Sequence, residues 1–113
     1  MPPPRTIHVD TRQILASIRD IALAQLPEAL ALCKYSSDRE AEAAAMASWV
    51  PRKLDRLAGK PLTASERKRH QQALRQMEAD GLIWIDTIHV KLTPLGRQRL
   101  AETTELTLTP LGE

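Results

Sequence analysis

The sequence predicts a mainly α-helical domain with one small β-hairpin. Apolar residues recur at intervals of three and four along most of the chain, and they are chiefly aliphatic, since aromatic residues make up only 3% of the sequence. A short segment instead alternates Ile88, Val90 and Leu92 with His89 and Lys91, which is typical of a half-buried strand. A length of 113 residues suits a single domain with a modest core.

The chain divides into three parts by composition. Residues 1–9 are rich in proline and are expected to form an N-terminal arm. Residues 10–102 form the predicted domain, which includes an N-terminal helical extension, and residues 103–113 form a tail. The tail contains a second copy of the Leu-Thr-Pro-Leu-Gly phrase at 92–96, and we expect a short strand at 106–108.

The first helix begins near Asp10 or Thr11, either of which can act as its N-cap residue. Pro27 is expected to interrupt or restart this helix, because proline cannot donate the helical hydrogen bond. The apolar stripe is wider than a small domain needs, so it either covers the core of the same chain or contacts a second copy. The residues that we predict for a homodimer contact are Ile14, Ile18, Ile21 and Trp84.

Two further helices precede the basic part of the chain. Ser37 and Glu40 have the spacing of a capping box and predict a second helix. Small side chains would let a neighbouring helix approach it closely, namely Ala41, Ala44, Ala45 and Ser48. Pro51 cannot continue that helix, so we expect a short third helix over residues 51–58 and a turn over residues 59–62.

The fourth helix has clear signals at both ends. Thr63 and Glu66 again have the spacing of a capping box, and Gly81 can adopt the left-handed conformation that ends a helix. The packed face of the helix is predicted to contain His70, Ala73, Leu74 and Met77. The position of His70 on this face indicates a histidine at the edge of the core rather than a catalytic base.

A hairpin and another helix follow. The predicted strands cover residues 82–85 and 88–92, with a minimal turn at Asp86 and Thr87. The first strand is apolar on both faces, so Trp84 either folds back over the hairpin or meets a partner. Thr93 and Pro94 then predict the cap and the first residue of a last helix.

Two segments resemble a known superfamily. The run ALRQMEADGLI at 73–83 and the run KLTPLGR at 91–97 are similar to winged helix-turn-helix proteins, in particular regulators of the MarR and PadR kind. The resemblance covers about a third of the chain and implies that the helix at 64–80 enters the major groove of DNA. One difference is the wing, because its predicted turn is short and contains Asp86, whereas such regulators usually have longer, basic wings.

The face of this helix opposite the packed stripe is polar and basic. Lys68, Gln72 and Arg75 lie there, and such side chains can pair with guanine and adenine edges, although a merely solvated face has the same composition. We expect contacts to the DNA backbone from Lys60, Ser65, Arg67 and Arg69. His89 and Lys91 on the second strand are possible further phosphate contacts.

Charge is unevenly distributed along the chain. The net charge is +2, but residues 51–76 contain eight Lys or Arg and two acidic residues, a local charge of +6 that leaves −4 for the remainder. A concentrated positive charge of this kind favours a polyanionic partner such as DNA. The alternative is a helix surface that is basic without a partner.

Other classes of function lack a signal. The single cysteine, Cys33, lies in an apolar run and is expected to be buried, and no Cys or His spacing predicts a metal site or other cofactor. Gly59 and Lys60 do not complete a phosphate-binding loop, and the histidines form no catalytic set, so we do not expect an enzyme. The sequence contains no signal-peptide or membrane-spanning pattern, and we expect a soluble, cytoplasmic protein.

These observations predict sequence-specific binding of double-stranded DNA by a small dimeric winged-helix transcriptional regulator. One alternative is a winged-helix module for protein–protein interaction that uses Trp84 and the stripe of the first helix. A second alternative is a replication or partition factor of a plasmid or phage, which would bind DNA without regulating transcription.

Overall fold

The computed structural model describes the backbone of residues 9–108 and the side chains of residues 9–102. This part of the chain is mainly helical with a small antiparallel sheet, which confirms the coarse prediction. The elements are α1 (Thr11–Leu32), α2 (Arg39–Ser48), β1 (Val50–Pro51), α3 (Leu54–Ala58), α4 (Ala64–Ala79), β2 (Ile83–Ile85), β3 (His89–Leu92) and α5 (Pro94–Leu108). The predicted arm and the second Leu-Thr-Pro-Leu-Gly copy lie almost entirely outside the described residues.

Helix α1 is continuous over 22 residues. The Asp10 side chain caps it by accepting a hydrogen bond from the backbone N–H of Gln13 at 3.0 Å. Pro27 lies inside the helix, so the predicted interruption there is wrong. Ile21 and Ala29 are buried on either side of the proline. We infer that the packing of these side chains offsets the free energy lost with the hydrogen bond that proline cannot make.

The main core lies between the first half of α1 and the sheet, α3, α4 and α5. Its most completely buried large side chains are Ile14, Ile18, Leu57, Met77, Ile83, Val50 and Val90. Ile14, Ile18 and Ile21 are no more than 9% exposed within the single chain. The structure therefore corrects the proposed dimer role of these isoleucines, since their stripe covers the core of the same chain.

A smaller apolar cluster joins α2 to the second half of α1. Its buried members are Ala29, Cys33, Ala43 and Ala47. The predicted small face of α2 was therefore misplaced, since Ala41, Ala44 and Ala45 are exposed and Ser48 is only partly buried. The predicted capping box at Ser37 and Glu40 is also wrong, because the N-cap residue is Asp38 and the helix starts one residue later.

The sheet has the strand order β1-β3-β2, and both pairings are antiparallel. Val50 pairs with Val90, so Pro51 belongs to an edge strand and the prediction that it begins a helix is wrong. The β2–β3 hairpin is present as predicted, but its turn is shifted by one residue. Asp86 N–H donates to the His89 carbonyl oxygen at 2.8 Å, which places Thr87 and Ile88 at the tip.

Helix α4 ends in a Schellman motif, as Gly81 predicted. The N–H of Leu82 donates to the Met77 carbonyl oxygen at 2.9 Å. The N–H of Gly81 donates to the Glu78 carbonyl oxygen at 3.0 Å. Gly81 has a φ of +78°, a conformation that other residues rarely adopt. This motif turns the chain directly from α4 into β2.

The Leu-Thr-Pro-Leu-Gly phrase at 92–96 forms hydrogen bonds that hold the end of α4 against the start of α5. Thr93 N–H donates to the Leu82 carbonyl oxygen at 3.1 Å, and the Thr93 hydroxyl donates to the Gly81 carbonyl oxygen. The same hydroxyl caps α5 by accepting from Gly96 N–H at 3.0 Å, and Pro94 is the first helical residue, as predicted. Helix α5 continues to Leu108, so the strand predicted at 106–108 is wrong.

Candidate nucleic-acid interface

Helix α4 is fixed at its start and along one face. Thr63 Oγ1 accepts from Glu66 N–H at 3.2 Å, and Thr63 N–H donates to Glu66 Oε1 at 2.9 Å, so the predicted capping box is confirmed. His70, Leu74 and Met77 are buried against the core. His70 Nδ1 lies 2.8 Å from the Glu66 carbonyl oxygen, which confirms the interpretation of this residue as a histidine at the edge of the core.

The opposite face of α4 is exposed. Lys68, Gln72 and Arg75 point away from the core, as the helical period predicts, and Ser65 and Arg69 are also exposed. Side chains of these types can hydrogen-bond to phosphates and to base edges in the major groove. The structure thus presents the predicted contact residues of α4 to solvent on one helix.

A polar cleft of about 570 Å³ lies beside this face, between α4, α3 and β2. The side chains that give it its charge are those of Arg52, Lys53, Asp55, Arg67 and Arg75. Four cations and one carboxylate therefore line the cleft, which gives it a formal charge of +3. Arg75 belongs to both surfaces, so the cleft and the exposed face of α4 are continuous.

Arg52 and Lys53 are absent from the sequence-based prediction of contact residues, although they contributed to the local charge of +6. They enter the cleft because β1 pairs with β3 just before them. Arg52 N–H donates to the Ile88 carbonyl oxygen at 2.8 Å, which ties this segment to the tip of the hairpin. The sequence feature that could have indicated these two residues is a basic pair directly after an apolar residue and a proline.

Two of the predicted backbone contacts are ion-paired within the chain. Arg67 Nη2 lies 3.1 Å from Asp55 Oδ2, and Lys60 Nζ lies 3.5 Å from Glu66 Oε2. Both pairs are partly exposed, and pairs of this kind usually contribute no more than about 1 kcal/mol. Because these ion pairs are weak, Arg67 and Lys60 can each leave the carboxylate and bind a phosphate instead.

Lys91 and Trp84 lie on the outer face of the sheet. The Lys91 ammonium lies 5.2 Å from the ring centre of Trp84 and 5.5 Å from that of Trp49, within the range of cation–π contacts. Trp84 remains 46% exposed, and the partly buried His89 precedes Lys91 by two residues on the same strand face. Neither His89 nor Lys91 lines the cleft, so the structure separates them from the other predicted contacts.

Among residues 9–102, no group of three His, Cys, Asp or Glu side chains is placed to hold a metal ion. No helix in the described part of the chain is long and apolar enough to cross a membrane. Cys33 is 7% exposed, which confirms its predicted burial. A scan against protein-family models finds no match, and comparisons with curated proteins and with solved structures find none either.

The capping box gives a first testable prediction. Thr63→Ala removes the hydroxyl that accepts from Glu66 N–H, and we expect the free energy of unfolding to fall by about 1 kcal/mol at neutral pH. Urea denaturation measures this change. Ser65→Ala, at an exposed position two residues later, is the control and should change stability by less than about 0.5 kcal/mol. Equal effects of the two variants would contradict the role of the cap.

The same box also predicts how stability depends on pH. Hydrogen bonds from Thr63, with the nearby Lys60 ammonium, hold the pKa of Glu66 below its ordinary value. A carboxylate with a lowered folded-state pKa stabilises the fold above the unfolded-state pKa, and this contribution is lost as pH falls through the folded-state pKa. The stability difference between wild type and Glu66→Gln should therefore be present at pH 7 and shrink at acidic pH.

Proposed function

We propose that this chain is a winged helix-turn-helix protein that binds double-stranded DNA, with α4 as the recognition helix and the β2–β3 hairpin as the wing. The order of α3, α4 and the hairpin supports this assignment, as do the two phrases that resemble the superfamily. The observation that carries the proposal is the continuity between the exposed polar face of α4 and a cleft lined by four cations.

In the proposed complex, α4 enters the major groove. Lys68, Gln72 and Arg75 face base edges, where they supply sequence discrimination. The other cations of the cleft, Arg52, Lys53 and Arg67, hold the phosphate backbone that runs along the edge of the groove. The wing contributes less than is usual in this superfamily, because its tip consists of the neutral residues Thr87 and Ile88.

We further propose that the protein regulates transcription as a homodimer, in which two copies of α4 contact half-sites about one helical turn apart. The dimer contact cannot be the isoleucine stripe, which is buried in the core. Leu23 and Leu32 are the large apolar side chains of α1 that stay exposed, at 62% and 69%. Sedimentation tests this part of the proposal, since a monomer at every concentration would exclude it.

A second candidate function rests on Trp84. Tryptophan is enriched among the residues that dominate binding at protein interfaces, and Trp84 is 46% exposed on the outer face of the sheet. A winged-helix module of this kind would bind a protein through the sheet and would not need the basic cleft. Binding to DNA distinguishes the two functions.

Fluorescence anisotropy with a labelled duplex of mixed sequence tests the proposal. We expect binding at about 50 mM salt, and we expect Lys68→Ala with Arg75→Ala to weaken it by at least about 100-fold, because charge-assisted hydrogen bonds contribute about 1.5–3 kcal/mol each. Both side chains are exposed, so the thermal melt should stay nearly unchanged. Absence of binding by the wild type would refute the function, and a large loss of stability would refute the assigned helix faces.

A further inference from the structure

The cleft contains one carboxylate among its cations. Asp55, in the first turn of α3, accepts from Arg67 Nη2 through Oδ2 at 3.1 Å. Its other oxygen, Oδ1, is shielded from solvent and has no hydrogen-bond partner among the described residues. Arg52 and Lys53 line the same cleft from the segment after β1. An acidic side chain thus lies in a concave surface whose other charged side chains are four cations.

A carboxylate in this position resembles the ligand that the cleft is proposed to hold. Carboxylate and phosphate oxygens both accept charge-assisted hydrogen bonds from a guanidinium, so they compete for Arg67. The Asp55–Arg67 pair is only partly buried, with side-chain exposures of 39% and 51%, and such pairs are weak. A phosphate can therefore displace Asp55 from Arg67, but it must also approach a fixed negative charge.

We propose that Asp55 is an internal competitor for DNA phosphate at Arg67 and that it lowers the affinity of the cleft for any duplex. This inference rests on the proposed DNA-binding function. In the free protein, Asp55 reduces the repulsion among the cations of the cleft. In the complex, Arg67 exchanges this partner for a phosphate. This exchange lowers the free energy that the cleft gains from contacts with the DNA backbone. A stable complex therefore depends to a greater extent on the contacts of α4 with the bases.

The test compares Asp55→Asn with the wild type, using a mixed-sequence duplex over a range of salt concentrations. We expect Asp55→Asn to bind about five- to tenfold more tightly at about 50 mM salt. We expect the slope of log affinity against log salt to stay nearly unchanged, because Arg67 contacts a phosphate in both complexes and the variant only removes the competing carboxylate. Glu28→Gln is the matched control, because it removes the same charge from an exposed position on α1, outside the cleft, and should change affinity less than twofold.

A double-mutant cycle isolates the contact itself. In the Arg67→Gln background, Asp55→Asn should raise affinity by less than twofold, because the residue for which Asp55 competes has been removed. If Asp55→Asn fails to fold, as judged by circular dichroism, Asp55→Ser removes the same charge with a smaller side chain and replaces it in the cycle.

The outcomes separate the inference from the function on which it rests. Tighter binding by the Asp55 variant that depends on Arg67 supports the inference. Unchanged or weaker binding by that variant, with a wild type that binds DNA in a salt-dependent way, overturns the inference and leaves the DNA-binding function intact. An equal gain from Glu28→Gln also overturns it, because the effect would then be one of net charge. A wild type that does not bind duplex DNA overturns both.

Discussion

Gly96→Ala is expected to lower the free energy of unfolding by about 3 kcal/mol or more. A Cβ atom on Gly96 would lie closer than 3.0 Å to the carbonyl oxygen of Leu82, a distance that real Cβ contacts essentially never show. This oxygen belongs to the backbone and accepts from Thr93 N–H, so it cannot move without loss of that hydrogen bond. Helix propensity alone predicts the opposite sign, since alanine in a helix is favoured over glycine by about 1 kcal/mol.

Urea or thermal denaturation of Gly96→Ala measures this loss. Gln98→Ala is a suitable control, because Gln98 is exposed on the same helix two residues later and its change should stay within about 0.5 kcal/mol. A Gly96→Ala protein as stable as the wild type would mean that α5 does not approach Leu82 as closely as the structure shows.

Arg52→Ala combined with Lys53→Ala is expected to weaken duplex binding by about 100-fold at low salt. Both side chains line the cleft, and we assign each of them a phosphate contact of about 1.5 kcal/mol, which corresponds to about tenfold per residue. Both are exposed, so the fold should tolerate the change. Anisotropy with the mixed-sequence duplex measures the loss, and circular dichroism checks the fold.

The matched control removes two positive charges elsewhere on the surface. Lys34→Ala with Arg97→Ala changes two exposed cations that do not line the cleft, and we expect a loss of less than about threefold. If the two double variants weaken binding equally, the cleft has no special role and the protein attracts DNA only through its overall charge.

The parts of the fold that were predicted correctly depend on local signals. The capping box at Thr63 and Glu66 and the glycine at 81 mark the ends of α4, and each acts on atoms only a few residues away. The hairpin and the start of α5 follow from similar short-range patterns. Because the two ends of α4 were predicted correctly, the face of this helix that is exposed could also be predicted from the sequence.

The parts that were missed depend on contacts between distant residues. Strand β1 has only two residues, and its pairing with β3 is what makes Pro51 extended rather than helical. The cleft depends on that pairing, so Arg52 and Lys53 were not singled out. The burial of the isoleucine stripe on α1 likewise depends on the elements that pack against it. The spacing of apolar residues along a helix does not show which elements these are.

The phrase at 92–96 contributed strongly to the resemblance, and the structure gives it a physical role. Thr93 caps α5 and binds the end of α4, while Gly96 lets α5 approach Leu82. Both residues are needed for the packing of the fold. The phrase is therefore evidence about the fold and does not by itself specify a ligand. The features of the molecule that favour DNA as its ligand are therefore the charge and exposure of α4 and of the cleft.

The salt dependence of duplex binding by the wild type tests the central proposal most directly. If the face of α4 and the cleft hold about five phosphates, log affinity should fall linearly with log salt with a slope of about −4 or steeper between about 50 and 200 mM. A slope near zero, or no binding at about 50 mM salt, would contradict the proposal that this surface binds DNA.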